Sequence, residues 1–273
     1  MSTLTLPLQG GTLAYDDQGP AHAPLVVCVP GMGDRRQVFR FLTPLLVEAG
    51  FRVVTADPRG HGESTVGWPR YDRIAVGADT LDLLRHLGVP AVVVGHSAGA
   101  TSALWAQAQA PELVSGVVLV GPFITPAKNE WVSNLALGIV GRSATLWAMF
   151  YRSLYPSARP ADFDEYLAQL KRTLRQRGRM AAVRGYPRGN DEALSAAATS
   201  SGPAHIVIGA EDPDYPDPAA ELEAGRQVLE QQGRRVGTTL VPDSGHYPHA
   251  DSPRQTAAAI IPFLKEVLHA SEA

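Results

Sequence analysis

An apolar run, Ala91-Val92-Val93-Val94, stops at Gly95-His96-Ser97-Ala98-Gly99 and gives way to an Ala- and Leu-rich stretch from Ala100 to Ala110. A strand, a sharp turn and a helix packed into so few residues leave few folds open. The β-branched run reads as a buried strand, and the segment after it has the composition of a helix starting directly beneath Ser97. Between them the chain turns so tightly that its central residue is driven towards unfavourable backbone angles. Small residues are needed on either side because neighbouring backbone comes close. Gly95 and Gly99 meet that need. The turn lifts the Ser97 hydroxyl above the sheet edge. Ser97 is therefore a candidate nucleophile that requires a base, an acid and an oxyanion hole from elsewhere in the chain.

The rest of the chain is organised to match. Residues 3 to 15 alternate apolar and polar side chains around Gly10-Gly11, the pattern of an antiparallel hairpin at a sheet edge. Apolar strands at Leu25 to Val29, Phe51 to Asp57, Ala91 to Val94 and Val114 to Val120 then alternate with helical patterns at Val38 to Ala49, 72 to 87 and 100 to 110. Such alternation predicts a mostly parallel sheet with helices on both faces. It breaks from Pro122 to about Ser200, where helical segments at 131 to 154, 161 to 177 and 190 to 198 succeed one another with no clear strand between. It resumes with a strand from Ala204, a helix at 217 to 232, a strand at Arg235 to Val241 and a terminal amphipathic helix at 254 to 269.

Charge excludes some functions. With 19% charged residues and a net charge of −3 over 273 residues, nothing calls for nucleic acid. The basic cluster from Lys171 to Arg179 reads as a solvated helix face. Cys28 is the only cysteine, so no internal disulfide forms, and it is expected to pack as a small hydrophobe. The N-terminus lacks the basic start and long apolar run of a signal peptide, and no segment reaches about 18 uninterrupted apolar residues. A cytoplasmic protein without a membrane anchor is the expectation.

His246 is the favoured base, because it follows the last strand and the carboxyl ends of parallel strands all point to one sheet edge. His249, three residues on, is its close competitor. Asp212 ends the strand from Ala204 and opens a proline-rich loop, a position that suits a carboxylate holding the imidazole in its productive tautomer. Asp214 and Asp217 in the same loop are alternatives. Two backbone amides are needed where negative charge develops, and Ala98 and Met32, in Pro30-Gly31-Met32-Gly33, offer them. That glycine loop has neither a dinucleotide pattern nor a Walker lysine, so a phosphate cradle is disfavoured. The expected chemistry uses no metal and no cofactor.

Ser97, Asp212 and His246, in that chain order, resemble the α/β-hydrolase superfamily. Asp57-Pro58-Arg59-Gly60-His61-Gly62-Glu63-Ser64, Gly209-Ala210-Glu211-Asp212 and Ser244-Gly245-His246 are similar to loops that many of its members carry. The resemblance implies an α/β fold with an eight-stranded, mostly parallel sheet. Residues 1–121 and 201–273 would form the core, and 122–200 a helical cap, or lid, inserted after the sixth strand. Two departures stand out: Pro30-Gly31 replaces the usual His-Gly, and Asp34-Arg35-Arg36 makes this rim polar. A serine at the elbow disfavours the relatives that use aspartate, the epoxide hydrolases and haloalkane dehalogenases. The expected pocket comprises Trp131, Trp147, Phe150 and Tyr151 from the cap, with Gly31, His96 and Tyr247 beside the serine.

The resulting expectation is a serine hydrolase that cleaves a small or medium carboxylic ester or lactone through an acyl-enzyme. The same triad also serves carbon–carbon bond hydrolysis and cofactor-free perhydrolysis. A ligand-binding or signalling module on the same fold is the reading from another class, separated from the first by negligible turnover of activated esters.

Overall fold

The computed structural model describes residues 3–125 and 138–270. Eight strands form one sheet: β1 (Leu4–Leu8), β2 (Gly11–Gln18), β3 (Leu25–Val29), β4 (Arg52–Ala56), β5 (Ala91–His96), β6 (Val114–Val120), β7 (Ala204–Gly209) and β8 (Val236–Val241). Their spatial order is β1-β2-β4-β3-β5-β6-β7-β8. The first pair is the expected hairpin and joins β4 antiparallel, whereas β3 to β8 are parallel throughout.

The continuous apolar runs have a simple cause. Both faces of the central strands are covered, so neither set of alternating side chains meets water. Val26, Cys28, Val92, Val94, Val118 and Val120 face one hydrophobic layer, shared with the helices Leu42–Glu48 and Pro253–Ala270. Val27, Val93, Val117 and Leu119 face the other, shared with Arg73–Leu87 and Ala98–Gln109. Cys28 is fully buried in the first layer, as expected of a small hydrophobe, and burial raises its thiol pKa.

Several helical expectations change in detail. The predicted helix at 38 to 49 is a 3-10 turn, Arg36–Phe39, followed by the separate helix Leu42–Glu48. A continuous helix would place Pro44 in its interior, where the missing N–H and the ring break the ladder. Starting at Leu42 puts Pro44 in the first turn, where no intrahelical acceptor is lost. Between β6 and β7 run the helices Ala144–Ser153, Phe163–Leu174, Arg179–Gly185 and Asn190–Ala197. The Ser143 hydroxyl accepts from the amides of Thr145 and Leu146 and so caps the helix Ala144–Ser153, whereas the predicted start of this segment at 131 lies outside the described residues. Arg179–Gly185 was not expected, since a seven-residue helix after Gly178 carries too few turns to establish a periodicity. The basic cluster is mostly solvated, but its last member is buried: Arg179 donates to the carbonyls of His61 and Ser64.

This helical stretch is fastened to the sheet beside the Pro30-Gly31-Met32-Gly33 loop. Trp147 Nε1 donates to Gly33 O at 3.1 Å, and the buried Asp34 carboxylate accepts from Tyr151 at 3.0 Å and Tyr166 at 2.5 Å. Burial raises the Asp34 pKa, and the hydrogen bonds from Tyr166, the Arg35 amide and Tyr151 oppose that rise.

The elbow is closely packed. A Cβ on Gly95 would stand 2.3 Å from Gly99 O and 2.6 Å from Ala100 Cα, both backbone atoms that cannot swing aside. Gly95→Ala is therefore expected to destabilise the protein by about 1–3 kcal/mol, measured by chemical denaturation. An unchanged unfolding midpoint would mean that the elbow is looser than its contacts imply.

Candidate active site

Ser97 sits between β5 and the helix Ala98–Gln109 at φ 53° and ψ −119°. A positive φ on a residue with a Cβ is strained by about 1–3 kcal/mol and persists only where its surroundings over-determine it. Here the constraint comes from both sides. Ser97 N donates to Val120 O on β6 at 2.8 Å, and Ser97 O accepts from Ala100 N at 3.0 Å. The side chain is left half-buried, in contrast to the fully enclosed residues around it. Ala98 is the first residue of the helix, so its N–H has no intrahelical acceptor and is free for an oxyanion. Gly31 faces the serine: a Cβ there would come within 2.8 Å of Ser97 Cβ and 3.1 Å of His96 Nδ1. Met32, next to it, is half-buried and packs against both hydrophobic layers.

His246 lies in the loop after β8, with its ring against Gly121, the residue that follows the carbonyl holding Ser97 N. A Cβ on Gly121 would be 3.0 Å from His246 Cε1. Its Nδ1 donates to Asp212 Oδ2 at 2.8 Å, both side chains being almost wholly buried. Asp214 Oδ2 is 3.6 Å from the same nitrogen. Burial pulls the imidazole pKa down, but the Asp212 and Asp214 carboxylates outweigh it and hold the group above the ordinary histidine range. Burial raises the Asp214 pKa, against the attraction of His246 and with the repulsion of Asp212. With Nδ1 committed to Asp212, Nε2 is the nitrogen able to exchange a proton. Asp212, Asp214 and His246 also offer three ligand atoms within 4.8 Å of one another, so they could hold a metal ion. A cation there would displace the Nδ1 proton that Asp212 accepts.

The competing assignments resolve by geometry. Asp217 is engaged as a helix cap, its Oδ1 accepting from Ala220 N at 3.0 Å. His249 is fully buried between Phe39 and His96, and among the described residues neither of its nitrogens has a partner. Burial, with the charges of His246 and Arg40, lowers its pKa to about 3, so it is neutral and enclosed.

The expected pocket residues have mixed placements. Trp131 lies outside the described residues. Phe150 is half-buried, its ring centre 5.4 Å from that of Trp147. Trp147 and Tyr151 are enclosed and hydrogen-bonded to Gly33 and Asp34. Tyr247 is buried and stacks on Tyr155 at 4.8 Å with an interplanar angle of 9°. His96 is wholly buried, and its Nε2 donates to His246 O at 3.0 Å, tying the elbow to the histidine loop. Two further supports of that loop carry no signal in the sequence pattern. Asp251 accepts from Ser244 Oγ at 2.6 Å and Gly245 N at 3.0 Å, and Leu154 O accepts from His246 N at 3.0 Å. Phe123, 6.0 Å from the imidazole between ring centres, was also missed, because it lies just past β6 in a stretch without periodicity.

The comparisons with known proteins bear on the family and the fold. The family model described as the alpha/beta hydrolase family matches residues 26–259. The mouse sn-1-specific diacylglycerol lipase ABHD11 is 26% identical over 271 residues, covering 90% of this chain and 82% of that protein. The bifunctional esterase/perhydrolase DCH of Acinetobacter calcoaceticus is 34% identical over 127 residues, 46% of each chain. A bromoperoxidase from Bacillus anthracis superposes with a TM-score of 0.78 at 17% identity, over 97% of this chain and 100% of its own, a likeness of fold alone. A sheet of this order, a strained serine at its central turn and a family match over most of the length place this chain in the alpha/beta hydrolase family.

Proposed function

We propose that the protein is a serine hydrolase that cleaves a small or medium carboxylic ester or lactone through an acyl-enzyme. The observation that carries this reading is the strained, half-buried Ser97 at the end of β5, at the sheet edge where the loop after β8 holds an imidazole whose Nδ1 meets a buried carboxylate. In this reading Ser97 Oγ closes on His246 Nε2 when substrate docks, loses its proton there and attacks the carbonyl carbon. The amides of Ala98 and Met32 receive the developing oxyanion, and His246 returns the proton to the leaving oxygen. Water then repeats the sequence to release the acid. Asp212 fixes the tautomer and stabilises the imidazolium. The helices from Ala144 to Ala197 act as a cap over the serine, anchored through Trp147, Tyr151 and Tyr166 to the oxyanion loop. They screen the site from water.

Esterase and lipase relatives support ester chemistry. The DCH relative, whose name couples esterase with perhydrolase, favours hydrogen peroxide as an alternative acyl acceptor. The test is turnover of a panel of p-nitrophenyl esters and lactones, with and without peroxide. Tight ligand binding with no turnover of any activated ester would replace this reading with a binding module.

The pH dependence has a definite sign. A general base works in its neutral form, and the carboxylates raise the His246 pKa above the usual value of about 6.5. kcat/KM should therefore be low in mild acid and climb with pH through an inflection above that value. Stability moves the other way. A raised folded-state pKa contributes stability that is complete below about pH 6.5 and is lost as pH rises through the folded value. A kcat/KM profile that is flat from neutral to mildly alkaline pH would remove His246 from the role of base.

A further inference from the structure

Several buried or half-buried guanidinium groups among the described residues sit against carboxylates. Arg36 meets Asp57, Asp16 and Glu63, Arg59 meets Asp79, and Arg52 meets Asp17. Arg73 is only 5% exposed, yet among the described residues it forms no ion pair and bonds only to neutral oxygens. Its Nε donates to Pro187 O at 3.2 Å, and its Nη1 donates to Thr101 Oγ1 at 2.7 Å and to Asn190 Oδ1. Nη2 has no hydrogen-bond partner among the described residues. Burial lowers its pKa to about 10, which still leaves it cationic at neutral pH. Arg179 and Arg234 also lack carboxylates, but neither approaches an aromatic ring of the site.

The position of Arg73 is electrostatically adverse twice over. It is the first residue of the helix Arg73–Leu87, where the macrodipole disfavours a cation. It also touches the first turn of the helix that begins after Ser97: Thr101 is one turn along, and helical side chains lean back towards the N-terminus. Two positive helix ends and a guanidinium without an ion pair therefore converge, the more distant Asp191 offsetting part of the charge. On its other side the guanidinium carbon is 6.0 Å from the centre of Phe123, whose ring is in turn 6.0 Å from the His246 imidazole. The cation is bracketed by the helix of the nucleophile and a neighbour of the base. A surface cavity of about 260 Å³, lined by Arg70, Arg184 and Arg188 together with Asp72, adjoins the same seam, since Arg188 O accepts the Arg73 N–H. Only Arg70 of these three pairs with Asp72, so the approach carries surplus positive charge that draws anions.

We propose that Arg73 is a specificity residue that receives a free carboxylate on the substrate, so that the ester or lactone cleaved at Ser97 is a half-ester of a short dicarboxylic acid or an equivalent carboxylated lactone. This rests on the hydrolase reading above. A carboxylate supplies a paired counter-charge, and Nη2, whose two N–H groups are left over once Nη1 and Nε are engaged, presents them to it.

The test compares monoethyl glutarate with ethyl glutaramate, its neutral amide counterpart, as substrates. Wild type should favour the anionic ester by at least about 30-fold in kcat/KM, the scale of a desolvated charge pair. Arg73→Met should bring that ratio to near one, and Arg73→Lys should restore part of it. A second measurement needs neither turnover nor a variant that folds: glutarate, but not glutaramide, should raise the melting temperature of the wild-type protein. A wild-type ratio near one with no glutarate-specific shift overturns the proposal, as does an anion preference that Arg73→Met retains. If glutarate stabilises wild type but not Arg73→Met while neither ester is cleaved, Arg73 keeps its assignment and the hydrolase reading falls. If both esters are cleaved equally well, the reverse holds.

Discussion

Ser97→Ala is expected to lower kcat/KM for a p-nitrophenyl ester by about 10⁶-fold and to abolish labelling by a fluorophosphonate. Without the hydroxyl there is no acyl-enzyme, and what remains comes from the oxyanion amides of Ala98 and Met32 and from binding alone. The backbone predicts a companion effect. Ala at position 97 keeps a Cβ at φ 53° and so retains the strain, whereas Ser97→Gly relieves it. Ser97→Gly should be as inactive as Ser97→Ala yet more stable by about 1 kcal/mol in denaturant titration. Equal turnover by wild type and Ser97→Ala would dispose of the nucleophile assignment. Equal stability of the Gly and Ala variants would show that the turn carries no stored strain.

The second large effect belongs to the acid. Asp212→Asn should reduce kcat by about 10⁴-fold, because the amide no longer favours the tautomer with its proton on Nδ1 and no longer stabilises the imidazolium. Losing that carboxylate also withdraws a main support of the raised His246 pKa, so the inflection of the pH profile should move down. Asp214, 3.6 Å from Nδ1, leaves a residual field. Asp214→Asn alone is therefore expected to be milder than Asp212→Asn, with the double substitution worse than either. If Asp214→Asn proves as damaging as Asp212→Asn, the two acids have been assigned in the wrong order.

Much of the sheet was legible because its strands are buried on both faces and separated by turn-forming loops. Leu25–Val29, Ala91–His96 and Val114–Val120 read as apolar runs for that reason, and the structure keeps them almost residue for residue. Ser97, Asp212 and His246 were legible because parallel strands deliver their carboxyl ends to one edge. Asp212 and His246, far apart in the chain, then meet at that edge, where β5 also ends at Ser97. The region between β6 and β7 was less legible. Its helices are short, their starts are set by single caps such as Ser143, and its aromatic stripe does not say which rings face inwards.

Sequence alone determined the alternation that makes the sheet, the chain order of Ser97, Asp212 and His246, and the glycines that permit the elbow. These are local or topological properties, written in apolar periodicity and in residues that only certain backbone angles accept. Tertiary structure decided the rest. It placed Trp147 and Tyr151 on Gly33 and Asp34, tied His96 to the carbonyl of His246, and brought a second carboxylate to the imidazole. It also left Arg73 inside the protein without an ion pair among the described residues. The partner of a buried polar group is set by which elements converge in space, and the burial that sets its charge arises only once those elements have packed.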